Sequence, residues 1–216
     1  MKYFLYNIIA YFKKKGRLMD HYFTNNQNLK SEIKKINYSY NDYDFVFFSD
    51  NGVFSKEHID YGSRFLIETF LNNYNDNGNI LDVGCGYGFM GIVASKVLNC
   101  NVTMVDVNKR ALHLTKMNID ENKVNATCQE SNAYENINDK YDVIITNPPV
   151  RAGKNVLLDI LVGAKKHLNE NGMLWYVLRK DQGAKSMEKL LNEHYQVQLI
   201  EKSKGFYVYC CKMYWQ

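Results

Sequence analysis

The chain has 216 residues, 46% of them hydrophobic and 23% charged, enough to bury one sizeable core and a better fit to one α/β domain with an appendage than to two full domains. A formal charge of +4 and an isoelectric point near 8.6 are compatible with a nucleic-acid partner without demanding one. Five cysteines, an odd number without C-x-x-C spacing, argue against a disulfide framework and a zinc site. They read as plain core and surface thiols, no metal is expected, and the expected setting is the reducing cytoplasm.

The first stretch, residues 1–19, opens "MKYFLYNIIAYFKKKGR". Its apolar run is too short to span a bilayer and no small-residue cleavage site follows, so no stable membrane association is expected. Three readings compete: a disordered or loosely docked extension upstream of a start at Met19, a docked helix, and a surface anchor using Lys13, Lys14, Lys15 and Arg17. Residues 20–75 read as a small β-rich N-terminal cap. It holds the aromatic, strand-like run "NYSYNDYDFVFFSD" (37–50), a turn at Asn51-Gly52 and a helical segment "YGSRFLIETFLNNY" (61–74). The polar run 72–79 then links it to a main domain over 76–216.

From Asn79 onward strands and helices alternate. "NILDVG" (79–84) is a short apolar strand, followed by a helix over about 86–98 with Phe89, Ile92, Val93 and Val97 at helical spacing. "NVTMVDV" (101–107) is β-branched, and a helix over 108–122 opens with Asn108 as its cap. Strands over 126–131 and 141–147, a helix near 154–168, the strand 172–179 and a helix near 184–193 follow. This alternation predicts a doubly wound, mostly parallel seven-stranded α/β sheet. The runs 195–202 and 205–214 are too close for a crossover helix and must form a terminal hairpin. A parallel sheet finished by one antiparallel strand looks like the class I, S-adenosylmethionine-dependent methyltransferase fold.

"ILDVGCGYGFMGI" (80–92) sets Gly84, Gly86 and Gly88 where the backbone must turn sharply after the first strand and lie close to a ligand. The match has three readings: an S-adenosylmethionine turn, a dinucleotide fingerprint through Gly86, Gly88 and Gly91, and a purely structural turn. Asp82 favours the first, since a carboxylate suits a methionine amino group and is badly placed beside a pyrophosphate. The expected cofactor residues are therefore Asp82, Gly84, Cys85, Gly86 and Gly88. To these add Asp106 and Val107 at the second strand end, where an acid can accept ribose hydroxyls or, alternatively, cap a helix. Asn132 and Ala133, after the third strand, can meet an adenine ring or form an ordinary turn.

The only two prolines are adjacent, in "TNPPV" after the fourth strand. Proline restricts the preceding Asn147 to an extended backbone and brings no N–H, so acceptors gather at that strand tip. The Asn147 side-chain oxygen and the Pro148 carbonyl can each accept one N–H of an exocyclic amine, aiming its lone pair at a methyl sulfonium. Asn147 thus belongs to both the catalytic and the cofactor set.

"DVGCGYG", "VDVN" and "NPP" in this order resemble amino-methyltransferases. "NGVFSKEHIDYGSRFLIE" (51–68) and "NPPVRAGK" (147–154) resemble the ribosomal RNA small-subunit methyltransferase C family, in a short single-domain form and over about residue 21 to the end. That resemblance implies methyl transfer to guanine N2 of 16S ribosomal RNA, free or within the small ribosomal subunit. Other planar amines, and a silent cofactor-binding assembly factor, are the rival readings. Pro149, Val150, Arg151 and Lys154 are expected on the substrate side. Val150 cannot stack on a base, so Phe54 is expected to supply the ring, its alternative being a core position. Arg151 and Lys154 read either as phosphate contacts or as solvated loop charges, with Lys30, Lys34, Lys35, Lys165 and Lys166 as an extension of that surface.

Overall fold

The structure, a computed structural model, describes residues 30–214. The expected extension at 1–19 and the opening of the 20–75 region lie outside the described residues.

A hairpin comes first: β1 (Lys34–Tyr40) pairs antiparallel with β2 (Tyr43–Ser49). Its turn is Asn41-Asp42, with Asn41 at φ 49°, the left-handed conformation a two-residue hairpin needs and asparagine tolerates. The aromatic run is therefore two strands, and the expected turn at Asn51-Gly52 is a second one, leaving β2. Helix α1 (Tyr61–Asn73) starts at Asp60, whose Oδ2 accepts from the Ser63 N–H at 2.8 Å as a side-chain cap.

The rest alternates as the pattern predicts: β3 (Ile80–Val83), α2 (Phe89–Leu98), β4 (Val102–Asp106), α3 (Lys109–Asn122), β5 (Ala126–Glu130), β6 (Tyr141–Thr146), α4 (Lys154–Leu161), β7 (Leu168–Arg179), α5 (Ala184–Leu191), β8 (Gln196–Ser203) and β9 (Phe206–Lys212). The sheet order is β5-β4-β3-β6-β7-β9-β8, and β9 alone opposes its neighbours. Three boundaries differ from expectation. The α2 helix waits until Phe89 because Gly84 to Gly88 form the turn, α4 stops at Leu161, and β7 starts at Leu168 and not at 172, because a 3-10 stretch Gly163–His167 leads directly into it.

Strand alternation divides the core into two faces. Ile80, Val143, Ile145, Trp175, Val177, Val208 and Cys210 pack with the hairpin and α1 to α3, whereas Leu81, Ile144, Leu174, Tyr176, Tyr209 and Cys211 pack with α4 and α5. Cys210 and Cys211 thus face opposite sides, as adjacent strand residues must. Both are buried, so neither is the expected surface thiol: β9 lies between β7 and β8, covered on both faces.

The hairpin is tied to α3 by two asparagines. Asn122 donates to the Val46 carbonyl at 2.7 Å and accepts from its N–H at 3.1 Å; Asn118 does the same to Phe48 at 3.0 and 2.7 Å. A side-chain amide carries one peptide's worth of donor and acceptor. Residues four apart on a helix rise about 6 Å, close to the roughly 6.8 Å between alternate residues of a strand. So α3 completes the free edge of β2, and Phe45 and Phe47 of β2 are buried in the shared core.

In the sheet, β3 and β6 are neighbours, yet the chain leaves β3 toward β4 and leaves β6 toward β7. At such a switch point the carboxyl ends of the strands open a crevice in which ligands bind. Gly84 and Asn147 stand at the two lips of that crevice.

Candidate active site

The glycine turn is anchored from below: the N–H groups of Gly84 and Cys85 donate to the Val105 carbonyl at 2.8 and 3.0 Å. Gly84 and Gly86 sit at φ 73° and 58°, and a Cβ added to either would meet nothing within 4 Å. Their bare backbone faces open space, which is a cradle. Gly88 and Gly91 are different. A Cβ on Gly88 would lie 2.8 Å from Thr115 Cγ2, and one on Gly91 would lie 2.6 Å from Met104 Sδ. Their glycines are required by packing inside the protein. Cys85 has its N–H and its carbonyl bonded to Val105 and Gly88, and its buried thiol lies 3.6 Å from the Gly86 carbonyl.

Asp82 is fully buried below this turn. Its Oδ2 accepts from the Gly91 N–H at 2.9 Å, while Oδ1 has no hydrogen-bond partner among the described residues. Burial, reinforced by the nearby Asp106 charge and opposed by the Gly91 N–H, pushes its pKa up to about 7. A buried carboxylate oxygen without a donor is costly unless something supplies one. Asp106, half-buried at the end of β4, accepts from the Gly86 N–H through Oδ2 and from the Asn108 N–H through Oδ1, both at 2.8 Å. Burial pushes its pKa up, against the pull of the Asn108, Gly86 and Val107 N–H groups. The capping of α3 falls to Asn108, which accepts from the Arg110 and Ala111 N–H groups. Three N–H donors leave the Asp106 carboxylate a free lone pair, so a ribose hydroxyl can still be accepted.

After β5, Asn132 is exposed and its amide donates to Glu135 at 3.0 Å. Ala133 takes φ 47°, rare for a residue with a Cβ and a mark of strained backbone at this sheet edge.

The Asn147 amide is held by two hydrogen bonds. Its Nδ2 donates to Asp60 Oδ2 at 3.0 Å and to Ser63 Oγ at 2.9 Å. A carboxylate only accepts, so the amide must turn its nitrogen toward Asp60 and present Oδ1 on the other side. Sequence reasoning did not find Asp60 or Ser63. The signal was the cap pattern Asp60-Tyr61-Gly62-Ser63 ahead of an apolar run, but its reach to Asn147, 87 residues away, is tertiary. Pro148 is buried, and its carbonyl is not free of donors as expected: it accepts from the Val150 N–H at 2.8 Å. Pro149, at φ −75° and ψ 75°, is the centre of this inverse γ-turn, which leaves the Pro148 oxygen one lone pair.

The expected substrate residues divide. Val150 is half-buried against the core face that holds Leu157 and Ile160, so its side chain packs inward. Arg151 and Lys154 are exposed on the following turn. Phe54 is 52% exposed, an open ring and not a core residue. Its loop is stapled by Asn108 Nδ2 on the Gly52 carbonyl and by Arg110 on Asp50 and the Asn51 carbonyl, at 3.0 to 3.1 Å. Lys34 is engaged by Glu57 at 2.7 Å. Lys165 and Lys166 precede β7 and so lie at the amino edge of the sheet, opposite the crevice.

A doubly wound sheet with one reversed strand, a bare glycine turn after its first strand and an acid ending the second defines a class I methyltransferase fold. The sequence matches the methyltransferase small domain over residues 44–210, and the chain belongs to that family. It is 39% identical over 196 residues to the uncharacterized protein YbxB of Bacillus subtilis, covering 88% of this chain and 97% of that protein. It is 40% identical over 131 residues to ribosomal RNA small subunit methyltransferase C of Buchnera aphidicola (58% of this chain, 38% of the relative). The same methyltransferase of Haemophilus ducreyi is 30% identical over 181 residues (81% and 54%). The chain thus spans about half or less of these two methyltransferases. Among solved structures, a Thermus thermophilus 16S rRNA N2 G1207 methyltransferase in complex with AdoMet and guanosine superposes with a TM-score of 0.78 at 21% identity, over 86% of this chain and 52% of that one. At that identity the likeness shows the fold.

Proposed function

We propose that the protein transfers a methyl group from S-adenosylmethionine to the exocyclic N2 amine of a guanosine in 16S ribosomal RNA, acting in the cytoplasm on the free RNA or the small subunit. The observation that carries the reading is the fixed amide of Asn147, held by Asp60 and Ser63 with Oδ1 turned out. The named relatives that act on ribosomal RNA support the substrate class.

The crevice suits the cofactor. The unpartnered Asp82 Oδ1 offers an acceptor for the amino group, the bare backbone of Gly84 and Gly86 gives room for close approach, and Asp106 with Val107 lies where ribose hydroxyls are held. Asn132 and Ala133 border the base. Bound there, S-adenosylmethionine supplies an electrophilic methyl group on a sulfonium, and no metal is needed for that.

Everything else falls to the protein. Asn147 Oδ1 and the remaining lone pair of Pro148 oxygen accept the two N–H bonds of the target amine, which fixes the direction of the nitrogen lone pair. As the new C–N bond forms and the methyl–sulfur bond breaks, its electron pair leaving with S-adenosylhomocysteine, positive charge grows on that nitrogen and both acceptors bind it more tightly, an interaction stronger in the transition state than before it. The amine then releases one proton to solvent, so no strong base is needed. Phe54, with Pro149 lining the turn, presents the open ring for the guanine, and Arg151 and Lys154 reach phosphates. In the test, Asn147→Ala abolishes transfer of labelled methyl to small-subunit RNA while the affinity for S-adenosylhomocysteine stays within about twofold. Unchanged turnover sinks this mechanism.

A further inference from the structure

Three of the cation–π contacts converge on one place. Lys204 and Arg64 lie over the Tyr61 ring at 4.8 and 5.5 Å and Arg179 over Phe206 at 5.3 Å, whereas Lys202 lies over Tyr207 at 5.1 Å on the opposite face of the sheet. The first three join the first turn of α1, the end of β7 and the β8–β9 turn. Tyr61 and Phe206 are themselves in contact at 5.3 Å, and the Tyr61 hydroxyl donates to Ser203 Oγ at 2.7 Å. Gly62 lets the two elements close: a Cβ there would lie 2.9 Å from Phe206 Cε1.

This cluster stands beside the reactive amide. Thr146 pairs with Tyr176 and Arg179 with Phe206, so Arg179 extends two residues, roughly 7 Å, past the level of Asn147 on the neighbouring strand. Tyr61 and Arg64 share one helical turn with Asp60 and Ser63, which hold Asn147. The rings are half-buried and their faces are already occupied by cations, so their work is to hold charges in place. Cations fixed in advance lose less freedom on gripping an anion. The acids nearby are Asp181, which binds Arg179 at 3.0 Å, and Glu68, 4.0 Å from Arg64. Among the described residues no acid engages Lys204, and Lys180 adjoins it.

We infer that Arg64, Arg179 and Lys204, aligned by Tyr61 and Phe206, form a phosphate-binding strip for the single-stranded RNA flanking the methylated nucleotide. With Arg151 and Lys154 on the other side of Asn147, the strand is held on both flanks of the crevice. The inference rests on the RNA substrate proposed above.

Its test is direct binding, by fluorescence anisotropy, of a labelled single-stranded oligoribonucleotide containing one guanosine, over a salt series. The triple variant Arg64→Glu, Arg179→Glu, Lys204→Glu weakens binding at least about tenfold and flattens the log K against log salt slope by about two, since each single-strand phosphate contact contributes roughly 0.7. Lys165→Glu with Lys166→Glu, at the far sheet edge, changes neither. Unaltered S-adenosylhomocysteine binding verifies the fold of the triple variant, and Arg64→Gln with Lys204→Gln gives a smaller loss of the same kind should it misfold. Equal affinity and slope in wild type and triple variant overturn the strip alone, and would instead fit a surface for a protein partner. Failure of the wild type to bind RNA overturns the substrate reading as well.

Discussion

Replacing Asp60 separates the positioning of Asn147 from the stability of the helix that carries it. Asp60 Oδ2 accepts three hydrogen bonds, from Ser63 N and Oγ at 2.8 and 3.2 Å and from Asn147 Nδ2 at 3.0 Å. Asp60→Ala removes the cap of α1, worth about 1 kcal/mol, and leaves the Asn147 amide with Ser63 alone, about 1 kcal/mol more. The sum of about 2 kcal/mol lowers Tm by roughly 4–8 °C in a chain of this size. For catalysis, the lost contact is a hydrogen bond to a charged group, about 1.5–3 kcal/mol of preference for the orientation that presents Oδ1. If that preference is lost in the transition state, kcat falls about 10- to 100-fold. Asp60→Asn retains a good cap and so recovers most of the Tm but only part of the rate. The assay is kcat for methyl transfer to RNA with the S-adenosylhomocysteine affinity measured alongside, in single variants and in combination with Asn147→Ala. Because Asp60 acts through Asn147, Asp60→Ala should cost no further turnover in the Asn147→Ala background. Full turnover in Asp60→Ala, or losses that multiply in the double variant, would refute the reasoning.

Three further outcomes follow from the same geometry. Asp82 binds its proton more tightly when folded, at about 7 against 3.8, so its contribution to stability is complete below pH 4 and is lost as pH rises through 7. The difference is on the order of 4 kcal/mol; chemical denaturation across that window should show Asp82→Asn losing this dependence, and a parallel pH profile in the variant contradicts it. Asn118→Ala and Asn122→Ala each unpair a β2 N–H and carbonyl and should cost about 2 kcal/mol, read from urea unfolding, with hydrogen exchange of the Val46 and Phe48 amides accelerating; unchanged exchange rules out the edge-completing role. Gly91→Ala should destabilise by about 1–3 kcal/mol through its clash with Met104. Gly84→Ala, with open space over it, should cost about 1 kcal/mol from its positive φ yet weaken S-adenosylhomocysteine binding more than Gly91→Ala does, by calorimetry.

The sheet and its helices were legible in the sequence because hydrophobic period, caps and turn residues agree from Asn79 onward. The glycine turn and the Asn147 tip were legible because each is a run of neighbouring residues. What escaped depends on contacts distant in sequence. Nothing local says that Asn118 and Asn122 complete a strand, that Asp60 turns the Asn147 amide, or that Lys204 lies over Tyr61. Local chemistry also misled: proline brings no N–H, but the γ-turn it promotes delivers the Val150 N–H to the Pro148 carbonyl. Cys85 and Gly88 sit within a ligand-facing motif, yet their own groups are used in building the turn.

The central claim is tested most directly by mass spectrometry of nucleosides from 16S ribosomal RNA of cells with and without the protein, with the modified position mapped by primer extension. The account predicts loss of N2-methylguanosine at one position, restored by the wild-type chain and not by Asn147→Ala. Unchanged N2-methylguanosine, or loss of a different methylated nucleoside, would contradict it.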